Sequence, residues 1–232
     1  TRVRRRGSRP GAPRWTAAPG DRPVRRRGRF LVLEGLDGAG TTTQAERLAA
    51  WLRARGRKVH LTAEPSRGPV GGLVRQVLSG RVGGGPGGGV DPSALALLFA
   101  ADRLDHLACE VEPRLAAGWD VVSDRYALSS LAYQAVATGQ PGWVEQVNAR
   151  APAPDLTVFL EVRPAVALRR RFAASAEREL FEVPDFQRKV ALAYRRSIGR
   201  LRRMGQRVVV LSGEAPVAEV AAAVARAVAR LG

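Results

Sequence analysis

Eleven residues, Glu34 to Gln44, read EGLDGAGTTTQ, and they restrict the fold more than any other part of the chain. Glycine at 35, 38 and 40 admits backbone conformations closed to residues with a Cβ, and lets the chain pass close to a ligand. The run before it, RFLVLE (29–34), is short and apolar, as a strand buried on both faces must be. The run after it places Ala45, Leu48, Ala49 and Leu52 at i, i+3, i+4 and i+7, one face of a helix. In the context of strand, glycine loop and helix, successive N–H groups and a helix start form an anion site. The spacing Gly-x-x-x-x-Gly, followed by hydroxyl residues, reads as a phosphate-binding loop, with Thr42 at the position that normally holds Mg²⁺. The alternative is a strand–helix turn without a ligand. One position departs from the pattern. Where such a loop carries lysine this chain has Thr41, one neutral donor in place of a charge on the β- and γ-phosphates.

Strand and helix patterns continue to alternate. KVHLTAE (58–64), WDVVS (119–123), DLTVFLEV (155–162) and QRVVVLS (206–212) read as further strands. VGGLVRQVL (70–78) reads as a short helix, and Asp91 or Ser93 as the cap of a long helix through Leu115. Val217, Val220, Val224, Val228 and Leu231 form the stripe of a closing helix. The glycine-rich segment 80–90 is expected to be a flexible loop. This alternation predicts an α/β fold: a three-layer, doubly wound, five-stranded parallel sheet with right-handed crossovers.

Composition sets bounds. The formal charge of +17 first suggests nucleic acid, but residues 1–30 hold eleven arginines against the single acid Asp21. Lysine occurs only at Lys58 and Lys189, so the basicity is arginine, and with the abundant Ala and Gly it reads as compositional bias. Nucleic acid is not the expected partner. Cys109 stands alone, which rules out an internal disulfide framework and suits a reducing, cytoplasmic compartment. No run of 18 apolar residues occurs, so no membrane span is expected. Residues 1–28, rich in Arg, Pro and Gly, are expected to be a disordered extension. They lack the apolar core of a secretory signal and the amphipathic spacing of a transit peptide, and an over-extended gene start is the simpler account.

Five stretches carry a resemblance to one family. FLVLEGLDGAGTTTQ, TAEPSRG (62–68), LLFAADRLDHL (97–107), SDRYALSSLAYQ (123–134) and PDLTVFLEVRP (154–164) resemble the motifs of thymidylate kinase, a P-loop nucleoside-monophosphate kinase that passes a phosphoryl group from ATP to dTMP. The similarity covers the chain from about residue 29 onward. Departures are Ala63 where arginine is usual, Gly72 where glutamate is, and Glu161 where aspartate is.

The resemblance implies roles. Gly35, Leu36, Asp37, Gly38, Ala39, Gly40, Thr41, Thr42 and Thr43 would hold ATP, with Mg²⁺ on Thr42 and Asp124. Phe99 would stack on thymine, unless it is core. Arg103 would contact the nucleotide, unless it pairs with Asp102 or Asp105 on its helix. Arg125 would clamp the acceptor phosphate. Ser130, Tyr133 and Gln134 would read sugar and base, and Glu64 and Arg75 would complete the dTMP site. Asp37 would sit near the acceptor 3′-hydroxyl. A lid at about 168–182 would bring Arg170, Arg171 or Arg178 onto the ATP phosphates, replacing the missing lysine charge. The resemblance also implies a homodimer. The expected activity is dTMP phosphorylation. The rivals are a degenerate relative that binds nucleotide without turnover and a nucleic-acid-binding protein using the basic extension.

Overall fold

A computed structural model describes residues 27–83, 89–174, 181 and 183–231. The extension's residues 1–26 and the loop's residues 84–88 lie outside the described residues. Arg27 and Gly28, read as part of the extension, are already bound to the domain. Arg27 pairs with Glu112 and Asp155, and the Gly28 N–H donates to the Leu115 carbonyl at 2.9 Å.

The strands are β1 (Phe30–Gly35), β2 (Val59–Ala63), β3 (Asp120–Asp124), β4 (Leu156–Glu161) and β5 (Val208–Ser212). They form one parallel sheet in the order β2-β3-β1-β4-β5. All six residues of β1 are buried, which is why its sequence, Glu34 apart, is apolar without alternation. Helix α1 (Thr41–Arg53) packs on β1, β2 and β3, and alongside α9 (Val217–Ala229), which covers β4 and β5. Val220, Val224 and Val228 are the buried stripe of α9, as the spacing predicted. The other face carries α5 (Ala127–Thr138) and α8 (Pro184–Arg203), the most extensively packed helix pair, and a second core in which Phe30, Val32 and Val121 meet Leu107, Val111, Leu115 and Tyr126. Helix α2 is Pro69–Leu78, α6 is Pro141–Asn148, and α7 is Pro164–Ala174, which takes up the first half of the expected lid.

The long helix expected through Leu115 is modified in its middle. Asp91 caps it, accepting from the amides of Ser93 (2.8 Å) and Ala94 (3.0 Å). α3 (Pro92–His106) then passes through a π-helical turn, Leu107–Val111, before α4 (Glu112–Ala116). Pro113 supplies the physical reason: its ring clashes with the preceding turn and it has no N–H to donate, so the helix widens there.

Register aligns the ends of the strands. Leu33 of β1 lies opposite Asp124 of β3, and Ala63 of β2 opposite the same residue. The segments that leave β1, β2 and β3 therefore emerge side by side at the carboxyl edge, where open α/β sheets bind ligands. At the opposite end a buried carboxylate ties the sheet together. Asp120 accepts from the Arg29 amide (3.0 Å), the Arg29 guanidinium (2.7 Å) and the Arg57 guanidinium (2.8 Å). Burial alone would raise its pKa, but the two arginines override this and hold it at about 2. The folded pKa lies below the unfolded value, so the stabilisation is complete above about pH 4 and is lost as pH falls towards 2. Acid unfolding should show a loss on the order of 2 kcal/mol over that window from this group, and Asp120→Asn should remove that part of the pH dependence. The measurement is denaturant unfolding at pH 5, 4, 3 and 2.

Candidate active site

The glycine loop is built by close approach. Gly38 has φ 84°, and a Cβ there would lie 2.1 Å from the carbonyl oxygen of Ala167 on α7. The residue must therefore be glycine on two counts, backbone conformation and space. Gly40, at φ 91°, begins α1 with no side chain capping the helix. Leu36 and Ala39 turn into the core. Thr41 is buried, and Thr42 is exposed at the start of α1. The Thr42 hydroxyl donates to Asp124 Oδ2 at 2.5 Å. The other oxygen, Asp124 Oδ1, is buried without a hydrogen-bond partner among the described residues.

Arg125 follows Asp124 with φ 77°, an uncommon conformation for a residue with a side chain. Its guanidinium donates to the Gly35 carbonyl, to the Tyr194 hydroxyl at 3.1 Å, and to Asp37 Oδ1 at 2.7 Å. Tyr133 donates to Asp37 Oδ2 at 2.9 Å and accepts from the Asp37 amide at 3.1 Å. Burial, with Asp37 beside it, pushes the Tyr133 hydroxyl well above its usual pKa, so it stays a donor at all working pH values.

Two cavities open on this cluster. One, of about 620 Å³, is lined by the loop from Asp37 to Gln44, by Asp124, by Arg170 and Arg171, and by the β5–α9 turn. The other, of about 130 Å³, is lined by Phe99, Arg103, Ser130, Tyr133, Gln134 and Phe181. Asp37, Glu64 and Arg125 line both. The groove along the glycine loop and a smaller chamber with an aromatic wall thus meet at one arginine and two carboxylates.

The structure brings together most, but not all, of the residues picked from the sequence. Phe99 is half-buried and faces the smaller cavity, though it also packs against the Val74–Val77–Leu95 cluster. Arg103 is engaged inside the protein rather than with Asp102 or Asp105. It forms a double contact with Glu64 (2.9 and 2.8 Å), and donates to Asn148 and to the Ser130 hydroxyl at 3.1 Å. Ser130 is therefore a support for Arg103. Arg75 bonds to the carbonyls of Pro65 and Ser66 and lines neither cavity. Arg170 donates to the Gly213 carbonyl at 2.7 Å, which places it at the β5–α9 turn. Arg178 lies outside the described residues.

Several residues of the site escaped the sequence reading. Asp102 accepts from the amide (2.7 Å) and hydroxyl (2.5 Å) of Ser66 and so pins the segment after β2, in which the Glu64–Pro65 peptide is cis. Tyr194, from α8, reaches the Gly35 carbonyl at 3.0 Å. Glu34 lies fully buried beneath Arg125. Only Glu34 left a signal, as a charge in an otherwise apolar strand.

Comparison with known proteins follows the same lines. The thymidylate kinase family model matches residues 33–224. A protein of Pyrococcus abyssi is 39% identical over 195 residues, 84% of this chain and 92% of the relative. One of Pyrococcus horikoshii is 41% identical over 168 residues, 72% of this chain and 82% of the relative. Both carry the name "Probable thymidylate kinase". The chain belongs to the thymidylate kinase family. The five-stranded parallel sheet expected from the sequence is the architecture found, and the family recognised from its motifs is the one matched.

The Glu64–Arg103 pair has a direct consequence. Both side chains are almost wholly buried, so removing one leaves the other charge uncompensated. Arg103→Ala should destabilise the fold by about 3–5 kcal/mol, read as a lower midpoint in chemical denaturation, in addition to any effect on ligand binding.

Proposed function

We propose that the protein transfers the γ-phosphoryl group of ATP to dTMP, giving ADP and dTDP. One observation carries the reading: the loop cavity and the smaller aromatic-walled cavity share Asp37, Glu64 and Arg125. ATP would lie along the loop with its γ-phosphate towards Arg125, and dTMP would lie in the smaller cavity with its phosphate towards the same residue. Arg125 can fork two oxygens of the acceptor phosphate, and its hold on Gly35 and Asp37 fixes where it does so. The acceptor oxygen is already anionic, so no general base is required, and catalysis rests on positioning and charge neutralisation. Tyr133 and Asp37 would face the sugar, Gln134 the base or sugar, and Phe99 the face of thymine. A binding-only relative and a nucleic-acid-binding protein are not favoured by the family match.

The donor set fits Mg²⁺. Thr42 Oγ1 and Asp124 offer hard oxygen ligands, one of them an unpartnered buried carboxylate oxygen. Among the described residues no group of three or more His, Cys, Asp or Glu could hold a metal, which suits an ion bound chiefly by phosphates, water and one or two protein oxygens. When bound, Mg²⁺ would offset the negative charge of the phosphates. A homodimer is part of the proposal. Leu97 and Leu104, two turns apart on α3, are 50% and 39% exposed, with Leu73 of α2 at 39%. No described helix is long and apolar enough to cross a membrane. The cytoplasm, where both substrates are at hand, is the proposed location.

The test is ADP formation dependent on dTMP, measured across nucleoside monophosphates. Phe99→Ala should weaken dTMP binding by roughly 1–3 kcal/mol and leave ATP affinity nearly unchanged. An unfolded variant would show that Phe99 is core.

Thr41 generates a second test. Arg170 and Arg171 line the loop cavity, so the lid is the proposed source of the charge that Thr41 lacks. Replacing Arg170, Arg171 or Arg178 in turn by Ala should cost turnover on the order of 10³-fold at the residue that serves. In a Thr41→Lys background the same change should cost much less. Purely additive effects in the double-mutant cycle would refute the exchange of charge between loop and lid. Wild-type protein that is silent until Thr41→Lys is made would instead be a degenerate kinase.

A further inference from the structure

Glu34 is a carboxylate with no exposure to water, in the middle of a parallel sheet. Burying such a group unpaired is costly, so its partners are informative. Oε1 accepts from the amides of Tyr126 (2.9 Å) and Ser129 (3.1 Å). Oε2 accepts from the Ser129 hydroxyl at 2.6 Å and lies 3.3 Å from the Tyr194 hydroxyl. Tyr126 and Ser129 lie at the start of α5, where Tyr126 is the N-cap residue and its side chain makes no capping bond. Glu34 therefore does from another strand what an N-cap side chain does locally, with a charge sign that suits the helix start.

The segment it holds begins immediately after Arg125. A non-glycine residue at φ 77° is strained and persists only where its surroundings fix it. The amide bonded to Glu34 is that of the next residue, Tyr126. The two hydroxyls that reach Glu34 also reach the guanidinium: Tyr194 at 3.1 Å and Ser129 at 3.5 Å from Arg125 Nη1. Backbone and side chain of Arg125 are thus both tied to one carboxylate. Burial raises the Glu34 pKa, and the nearby Arg125 charge and the hydrogen bonds from Ser129 and Tyr126 pull it back, to about 7.

We infer that Glu34 is a positioning residue for the acceptor phosphate, holding Arg125 in the one arrangement that faces both cavities. The inference rests on the dTMP kinase reading. Glu34 lines neither cavity, so it acts indirectly, and its ties to the backbone and side chain of Arg125 direct that effect to the acceptor.

Glu34→Gln keeps the shape and the Oε1 acceptor and removes the charge. It should lower kcat/KM for dTMP by on the order of 10- to 100-fold, the scale of a small misplacement, with KM for ATP nearly unchanged. Tyr194→Phe, which removes a hydroxyl outside both cavities, should show the same selectivity at smaller amplitude and decides the matter if Glu34→Gln does not fold. Direct dTMP binding, measured by calorimetry, should weaken in parallel. Kinetics towards dTMP that match wild type in a folded variant, or equal losses for ATP and dTMP, would overturn the inference while leaving the kinase reading intact. A wild-type protein with neither dTMP binding nor turnover would overturn the kinase reading, and the inference with it.

Discussion

The guanidinium of Arg125 is bonded to the carbonyl of Gly35, the carboxylate of Asp37 and the hydroxyl of Tyr194, and the site is organised around that set of contacts. Through them β3 is joined to the glycine loop and to α8, elements far apart in sequence. The arginine can occupy this place because β1 and β3 end in register and because its own backbone adopts a left-handed turn. The glycine loop and the smaller cavity are consequently neighbours across one side chain.

Charge is concentrated where the strands end. Glu34 and Glu64 are both buried there, and each is compensated, Glu34 by two amides and two hydroxyls and Glu64 by the Arg103 fork. Such arrangements stabilise little in net terms, since desolvation offsets the attraction. What they confer is a fixed geometry: the donors and acceptors have one low-energy pairing. Thr41 stands apart from this economy. It retains the turn and the hydroxyl of a phosphate loop without the charge, beside α7, a helix packed so close that Gly38 has no room for a side chain.

Legibility in the sequence followed range. Elements came from periodicity, which is local: the five strands, α1 and the valine stripe of α9 stand where the pattern put them, with ends shifted by a residue or two. The pairing of Arg27 with Asp155 was not legible because it is not local. In the site, Asp37, Thr42, Phe99, Asp124, Arg125 and Tyr133 were reachable from motifs. The bond between Arg103 and Glu64 was not legible, since Glu64 lies just past β2, far off in sequence, and Asp102, adjacent in the helix, turns to Ser66 instead.

By itself the sequence determined the class of fold, the place of the phosphate loop and the family, because each depends on residue types at short, fixed spacing. The lysine's absence was equally plain. Only the tertiary structure decided what each polar group does with its bonds. It turned Ser130 towards Arg103, drew Arg75 to the carbonyls of Pro65 and Ser66, and placed Glu34 beneath Arg125. A buried donor or acceptor must find a partner wherever the packing provides one, and that partner is chosen by the register of the sheet and the packing of helices, which no short stretch of sequence contains.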